Sequence, residues 1–281
     1  MNKYFLVLIF IAVAISAFVI GQSVGISMAS PSSAISNTIQ WPNIHQNVAT
    51  DFNPQIKSPQ IEDSSFISPF AVVIGDCHIG KMVFMAPTSV CRADEGTPIY
   101  ISDYSNIQEG VVLHALETTL DGNNIDGRRF SQDGDRLLAN DSRFDQGYAV
   151  FIGSSVSLAH DSMVHGPAWI GNNTFVGMKS LVFNAKVGSN VAIGVFSLVT
   201  NGVVIPDNKF VPPGSQILTQ AEADALPSRI GSGAYENINK GVLHVNKDLA
   251  DAYNSNDLGK IKYYREALME EEGMAATQPS P

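Results

Sequence analysis

From Ile61 an aliphatic side chain returns at every sixth position, through Ile67, Val73 and Ile79, with Met85 and Cys91 filling the next two places. The series resumes at Ile101, Ile107 and Leu113. After a gap it runs through Ile152, Leu158, Val164, Ile170, Val176 and Val182. One residue is then dropped, and the series continues at Val187, Ile193, Val199, Ile205, Val211 and Ile217. Four residues after most of these stands a small one, such as Ser65, Ala71, Cys77, Ser105, Ser162, Thr174 or Ser180. A glycine often follows the aliphatic residue directly, as at Gly80, Gly153, Gly171 and Gly194. A hexapeptide repeat of this kind predicts a parallel β-helix. Three short strands make one triangular coil, one aliphatic side chain per strand fills the axis, and a small one fits each corner. Every rung pairs its backbone with the next coil, so no coil is stable alone. Twenty-one rungs at three per coil give about seven coils.

Two stretches interrupt the period. Ala93 to Tyr100 contains Gly96-Thr97-Pro98, and Thr118 to Tyr148 is polar, glycine-rich and aperiodic. A long excursion in a compact domain is usually functional. The expected organisation is a secretory signal over 1–29, a linker or N-terminal arm over 30–60, the β-helix domain over 61–218 with an acidic loop insertion at 118–148, helices over 219–272 and a disordered tail over 273–281. The signal is read from Lys3, the apolar run from Phe5 to Ile20, and Ser27-Met28-Ala29 as a small-x-small cleavage site. Uncleaved, the same run would be a membrane anchor. Thr219 with Glu222 forms a capping box for a short helix. Gly233 to Tyr253 and Asp257 to Glu272 read as two more helices, whose apolar faces need the side of the β-helix to pack on.

Composition narrows the function classes. Among 281 residues, 17 Lys and Arg stand against 27 Asp and Glu, a formal charge of −10. That balance argues against nucleic acid, which needs basic patches. Two cysteines, Cys77 and Cys91, are too few for a thiolate zinc site. They read as small core residues, with a disulfide open to them only outside the cytoplasm.

Counting rungs places the histidines. Cys91, Leu113 and Val164 fall on the third face of successive coils, and Arg92, His114 and His165 follow them directly. Side chains alternate across a strand, so these three point outward in one column, about 4.8 Å per step. Neighbouring imidazoles at that spacing can share one ion at about 2.0–2.1 Å. His160 lies on the preceding face, out of that column. If three copies pack side by side, His160 of one meets His114 and His165 of its neighbour, which predicts a homotrimer with a metal at each interface. His45 and His78 lack such company and read as structural or solvated.

These residues resemble the gamma-class carbonic anhydrases over roughly 60–255. The resemblance is carried by Arg92-Ala93-Asp94-Glu95-Gly96, Ser105-Asn106-Ile107-Gln108-Glu109-Gly110, His114-Ala115-Leu116-Glu117 and His160 through Pro167. It implies a left-handed β-helix trimer that hydrates CO2 to bicarbonate by a metal-hydroxide mechanism. His114, His160 and His165 carry over as ligands of Zn2+ or Fe2+. Gln108 and Glu95 carry over as hydrogen-bond partners of the reacting oxygen, and Asn246 as a residue orienting CO2. Arg92 and Asp94 carry over as an ion pair across the trimer interface, with Asn106 supporting it. Glu117 carries over as proton shuttle. Its place at the mouth of the acidic excursion suits a group that passes protons to buffer. His244 stands where the family's best-known members have tyrosine, and the excursion is longer than that family leads one to expect.

Two other functions compete. A hexapeptide acyltransferase uses one interface histidine and a cytoplasmic thioester; three histidines with the glutamine and glutamate argue against it, as does export. A non-catalytic trimeric scaffold stapled by metal would close the coordination sphere, whereas three protein ligands leave a position for water.

Overall fold

The computed structural model describes residues 42–255. The chain divides into two units, Met1–Gln40 and Trp41–Pro281, and the described residues belong to the second. The expected signal segment, the helix over 257–272 and the tail lie outside them. No helix among the described residues is long and apolar enough to cross a membrane.

The repeat folds into three columns of parallel strands. One column is a 7-stranded sheet running from Phe66–Ile67 through Phe84–Met85, Asn106–Ile107, Ser157–Leu158, Phe175–Val176 and Ala192–Ile193 to Phe210–Val211. The other two columns join into a 13-stranded sheet, because the strands Met163–Ile170 and Leu181–Val187 each run on around a corner and serve both. Each column thus receives one rung per coil, as the six-residue period requires. The axial residues Val73, Met85, Leu113, Ile152, Leu158, Val164 and Ile170 are fully buried in one continuous core. Each contributes roughly 1.5–3 kcal/mol by leaving water. Corner hydroxyls tie coil to coil. Ser105 Oγ donates to Gly153 O at 2.8 Å and accepts from Val156 N at 3.0 Å. Ser180 and Thr174 repeat the pattern on Gly194 and Gly188. The glycine after the aliphatic residue is needed because coils approach closely there. A Cβ on Gly153 would lie 2.8 Å from Asn172 N and 2.9 Å from Ile170 O.

Four features go beyond the expected layout. Cys77 and Cys91 are core residues, one at a corner and one on the axis, and they are joined by a disulfide with Cα atoms 6.5 Å apart. Within the N-terminal arm, Ile44–His45 forms a strand that extends the third column by pairing with Val73 and Ile74. The excursion, read from sequence as a loop, forms two antiparallel hairpins, Thr119–Leu120 with Asn123–Asn124 and Arg129–Phe130 with Arg136–Leu137. Phe130, Leu137 and Phe144 give it a small buried core, three apolar residues too scattered to show a period. The stretch read as one helix from Gly233 divides into a turn at Gly233–Tyr235 and a helix over Ile238–Asn254.

The capping box at Thr219 and Glu222 is present and starts the helix Gln220–Asp224. The long helix lies against the 7-stranded face, where Phe66, Phe84, Leu249 and Ala250 pack together and Tyr253 stacks on Phe66 at 4.7 Å.

Candidate metal centre

The register of the third column sets Ile74, Arg92, His114, His165 and Phe183 side by side on consecutive strands. All lie one residue past an axial side chain and therefore face outward. His114 Nδ1 and His165 Nε2 are 3.0 Å apart, and the rings meet edge to face. His165 Nδ1 donates to Gly166 O at 2.9 Å, which fixes its tautomer and leaves Nε2 as the lone-pair nitrogen. His114 Nε2 faces Glu95 Oε1 at 3.0 Å. Burial and then the Arg92 charge hold His114 below its usual 6.5, with Glu95 pulling the other way, so its ring is neutral near pH 7.

With His114 Nε2–H on Glu95 and His165 Nδ1–H on Gly166 O, the lone pairs of His114 Nδ1 and His165 Nε2 face each other across 3.0 Å. A single cation between them satisfies both, so the donors present fit a divalent ion of the zinc or ferrous type.

Glu95 organises the rest of this half. Arg92 Nη2 donates to Glu95 Oε1 at 2.7 Å, Arg92 Nε donates to Asp94 Oδ1 at 2.8 Å, and Glu117 N donates to Glu95 Oε2 at 3.2 Å. The Arg92–Asp94 pair expected between subunits is thus made inside one chain. Asp94, Glu95 and His114 offer three ligand atoms within 4.8 Å of one another. That trio is a poorer cation site than the histidines, because the Arg92 guanidinium already spans both carboxylates and would repel a second positive charge.

His160, Gln108, Asn106 and Asn246 gather elsewhere, along the neighbouring 7-stranded face. His160 is exposed at the corner, with Nδ1 2.9 Å from Glu109 Oε2. Asn106 Nδ2 donates to Ser157 Oγ at 2.8 Å and its Oδ1 accepts from Gln108 Nε2 at 3.3 Å. Asn246 is buried on the long helix, which crosses this face. His244 is exposed beside Asp248 at 3.6 Å. The candidate residues thus lie on two different faces of one chain, His114 and His165 on one and His160, Gln108 and Asn246 on the other.

Three supporting residues escaped the sequence reading. Phe183 sets its ring against His165 at 5.1 Å between centroids, and rung counting one coil further would have found it. Asn53 Nδ2, from the arm, donates to Asp94 O at 2.8 Å and holds the acidic turn; its position in an aperiodic segment gave no signal. Glu109, the partner of His160, stood inside a quoted motif without a role.

No protein-family model matches the chain. Among known proteins, it is 41% identical over 215 residues to the carbonic anhydrase of Methanosarcina thermophila, covering 76% of this chain and 82% of that one. It is 40% identical over 178 residues to the carboxysome assembly protein CcmM of Nostoc, spanning 63% of this chain and 28% of the relative. It is 24% identical over 158 residues to the mitochondrial gamma carbonic anhydrase 1 of Arabidopsis thaliana, spanning 56% and 46%. Among solved structures, a hexapeptide transferase family protein from Anaplasma phagocytophilum superposes with a TM-score of 0.47 at 21% identity, over 70% of this chain and 93% of that one.

Proposed function

We propose that this chain, which belongs to the gamma class of carbonic anhydrases, hydrates CO2 reversibly to bicarbonate and a proton at metal centres shared between subunits of a homotrimer. The observation that carries the reading is the pair of half-sites. His114 and His165 are neighbours in register, while His160 stands exposed on another face of the same chain.

A second feature supports the trimer. Two residues before the Arg92–His165 column runs an outward ladder of Val72, Val90, Val112, Met163, Leu181 and Leu198, in register over six coils. A continuous apolar stripe of that length beside the half-site is what a subunit contact buries.

His114 and His165 of one subunit with His160 of the next would hold Zn2+ or Fe2+. Bound there, the ion supplies an acidified water at neutral pH. Gln108 and Glu95 then fix the lone pairs and proton of the reacting oxygen. Arg92 holds Glu95 in place. Asn246 offers an amide to a CO2 oxygen from the helix side. Glu117 takes the released proton toward the excursion and bulk buffer; its backbone is anchored to Glu95, so its carboxyl starts next to the site.

We assign the protein to an extracytoplasmic compartment, cleaved or anchored at its apolar N-terminal run. The Cys77–Cys91 bond supports this, since buried disulfides persist in oxidising surroundings. Stopped-flow CO2 hydration by metal-loaded protein, prepared with zinc in air and with iron under anaerobic conditions, tests the activity. A fully metallated trimer inert in both preparations refutes it and leaves the scaffold reading.

A further inference from the structure

Between the excursion and the strands that carry His165 and Phe183 lies a half-open cavity of about 290 Å³. Leu116, Pro167 and Phe183 form its apolar walls, and Arg128 and Arg136 enter from the hairpins. Leu116 and Pro167 each stand two residues past a proposed ligand, and Phe183 touches the His165 ring. The cavity therefore begins one ring away from the metal centre.

The two arginines are held without being neutralised. Arg136 Nη1 donates to Gly127 O at 3.0 Å and to Asn184 Oδ1 at 2.8 Å, and its plane lies 4.7 Å above Phe130. Arg128 Nη1 donates to Glu117 O at 3.4 Å. Among the described residues, the arginine–carboxylate pairs belong to Arg92 and Arg143, not to these two. The acid in the cavity wall, Asp126, already accepts from Ala139 N at 2.7 Å. Arg136 is exposed at the cavity mouth, where no carboxylate pairs with it. If the arginines only pinned the hairpins, one terminal nitrogen each would suffice. Each guanidinium has five N–H donors, and the remaining ones in this cavity lack an anion.

We propose that the cavity is an anion subsite that takes bicarbonate on its way from or to the metal centre, and accepts other small planar oxyanions such as formate. A planar carboxylate-like anion matches the guanidinium fork, while uncharged CO2 gains nothing from it. The inference rests on the carbonic anhydrase reading and adds a product site that the aperiodic excursion builds.

The equilibrium between CO2 and bicarbonate fixes the ratio of kcat/KM in the two directions. An anion-holding site therefore shows in the constants for the anion itself, its KM in dehydration and its inhibition of hydration. For metal-loaded Arg128→Gln, Arg136→Gln and the double variant, the inhibition constants of bicarbonate and formate and the KM for bicarbonate should rise together, by about fivefold or more in the double variant. Arg143→Gln removes the same charge outside the cavity and should leave these constants in place. Line broadening of 13C-formate by the protein should weaken in step. Inhibition and broadening equal to the parent's overturn the proposal. So does a fall in kcat/KM for CO2 with unmoved inhibition constants, which would make the arginines supports of the site's shape. If the parent itself proves inert, the enzymatic reading fails and the formate line width alone decides whether the subsite exists.

Discussion

Mixing two inactive variants tests the shared site directly. A His160→Ala chain keeps the His114–His165 half-site and lacks the other; a His114→Ala chain is the reverse. Each alone forms trimers in which every interface misses one ligand. In a trimer assembled from both, an interface is complete when the first chain supplies the imidazole pair and the second supplies His160. For random one-to-one mixing in a cyclic trimer, each condition holds half the time, so about a quarter of the interfaces are complete. Denaturing the two variants together, refolding with zinc or iron, and measuring CO2 hydration should recover about a quarter of the activity of wild-type protein treated the same way. The structure motivates that fraction. His114 and His165 are 3.0 Å apart within one chain, so they are lost or kept together, whereas His160 stands on another face. Recovery no greater than in the unmixed variants, with mixed trimers verified by mass, refutes the shared site. It would place all three ligands in one chain after a rearrangement this fold does not suggest.

Other outcomes follow from the same geometry. Replacing Val112 or Leu181 with Glu puts a charge into the apolar ladder and should give monomers by light scattering that have lost activity; active trimers would exclude that stripe as the contact. Cys77→Ala with Cys91→Val should destabilise the protein by about 3 kcal/mol in guanidinium unfolding, from the chain entropy of a closed loop of this size, and reduced wild type should match it. Glu117→Ala should lower kcat in weak buffer and recover with imidazole; equal rates in every buffer would remove the shuttle. Because His114 is held below 6.5, the unfolded chain takes up its proton first as pH falls. Metal-free protein should therefore lose stability from about pH 6.5 downward through the folded value, and His114→Gln should flatten that slope.

The repeat was legible because each axial position obeys one rule regardless of its neighbours. Leu113 and Val164 lie 51 residues apart, yet counting rungs puts them on adjacent strands, and the structure pairs them. His114 and His165 inherit that accuracy. The excursion was not legible for the converse reason. Its core of Phe130, Leu137 and Phe144 forms by contacts among hairpins of irregular length, so no period announces it. The disulfide was open to either reading, because a corner residue and an axial one meet only when coil geometry brings Cα atoms to 6.5 Å.

The solenoid also gives a reason for the proposed site to be split. Outward side chains on one face of a triangle stack in parallel columns, and a column can bring two imidazoles together but cannot wrap a third around the corner. His160 shows this: its ring is anchored by Glu109 on its own face, turned from the His114–His165 pair by the triangular section itself. Closing a three-histidine sphere on such a surface requires another surface to face it. The ladder of Val72 to Leu198 would supply the affinity for one. Metal binding and assembly would then be one equilibrium, and added zinc or iron should drive dilute metal-free subunits to trimers. Trimer formation unchanged by metal across the dissociation range would separate the two and leave the apolar ladder as the sole source of assembly.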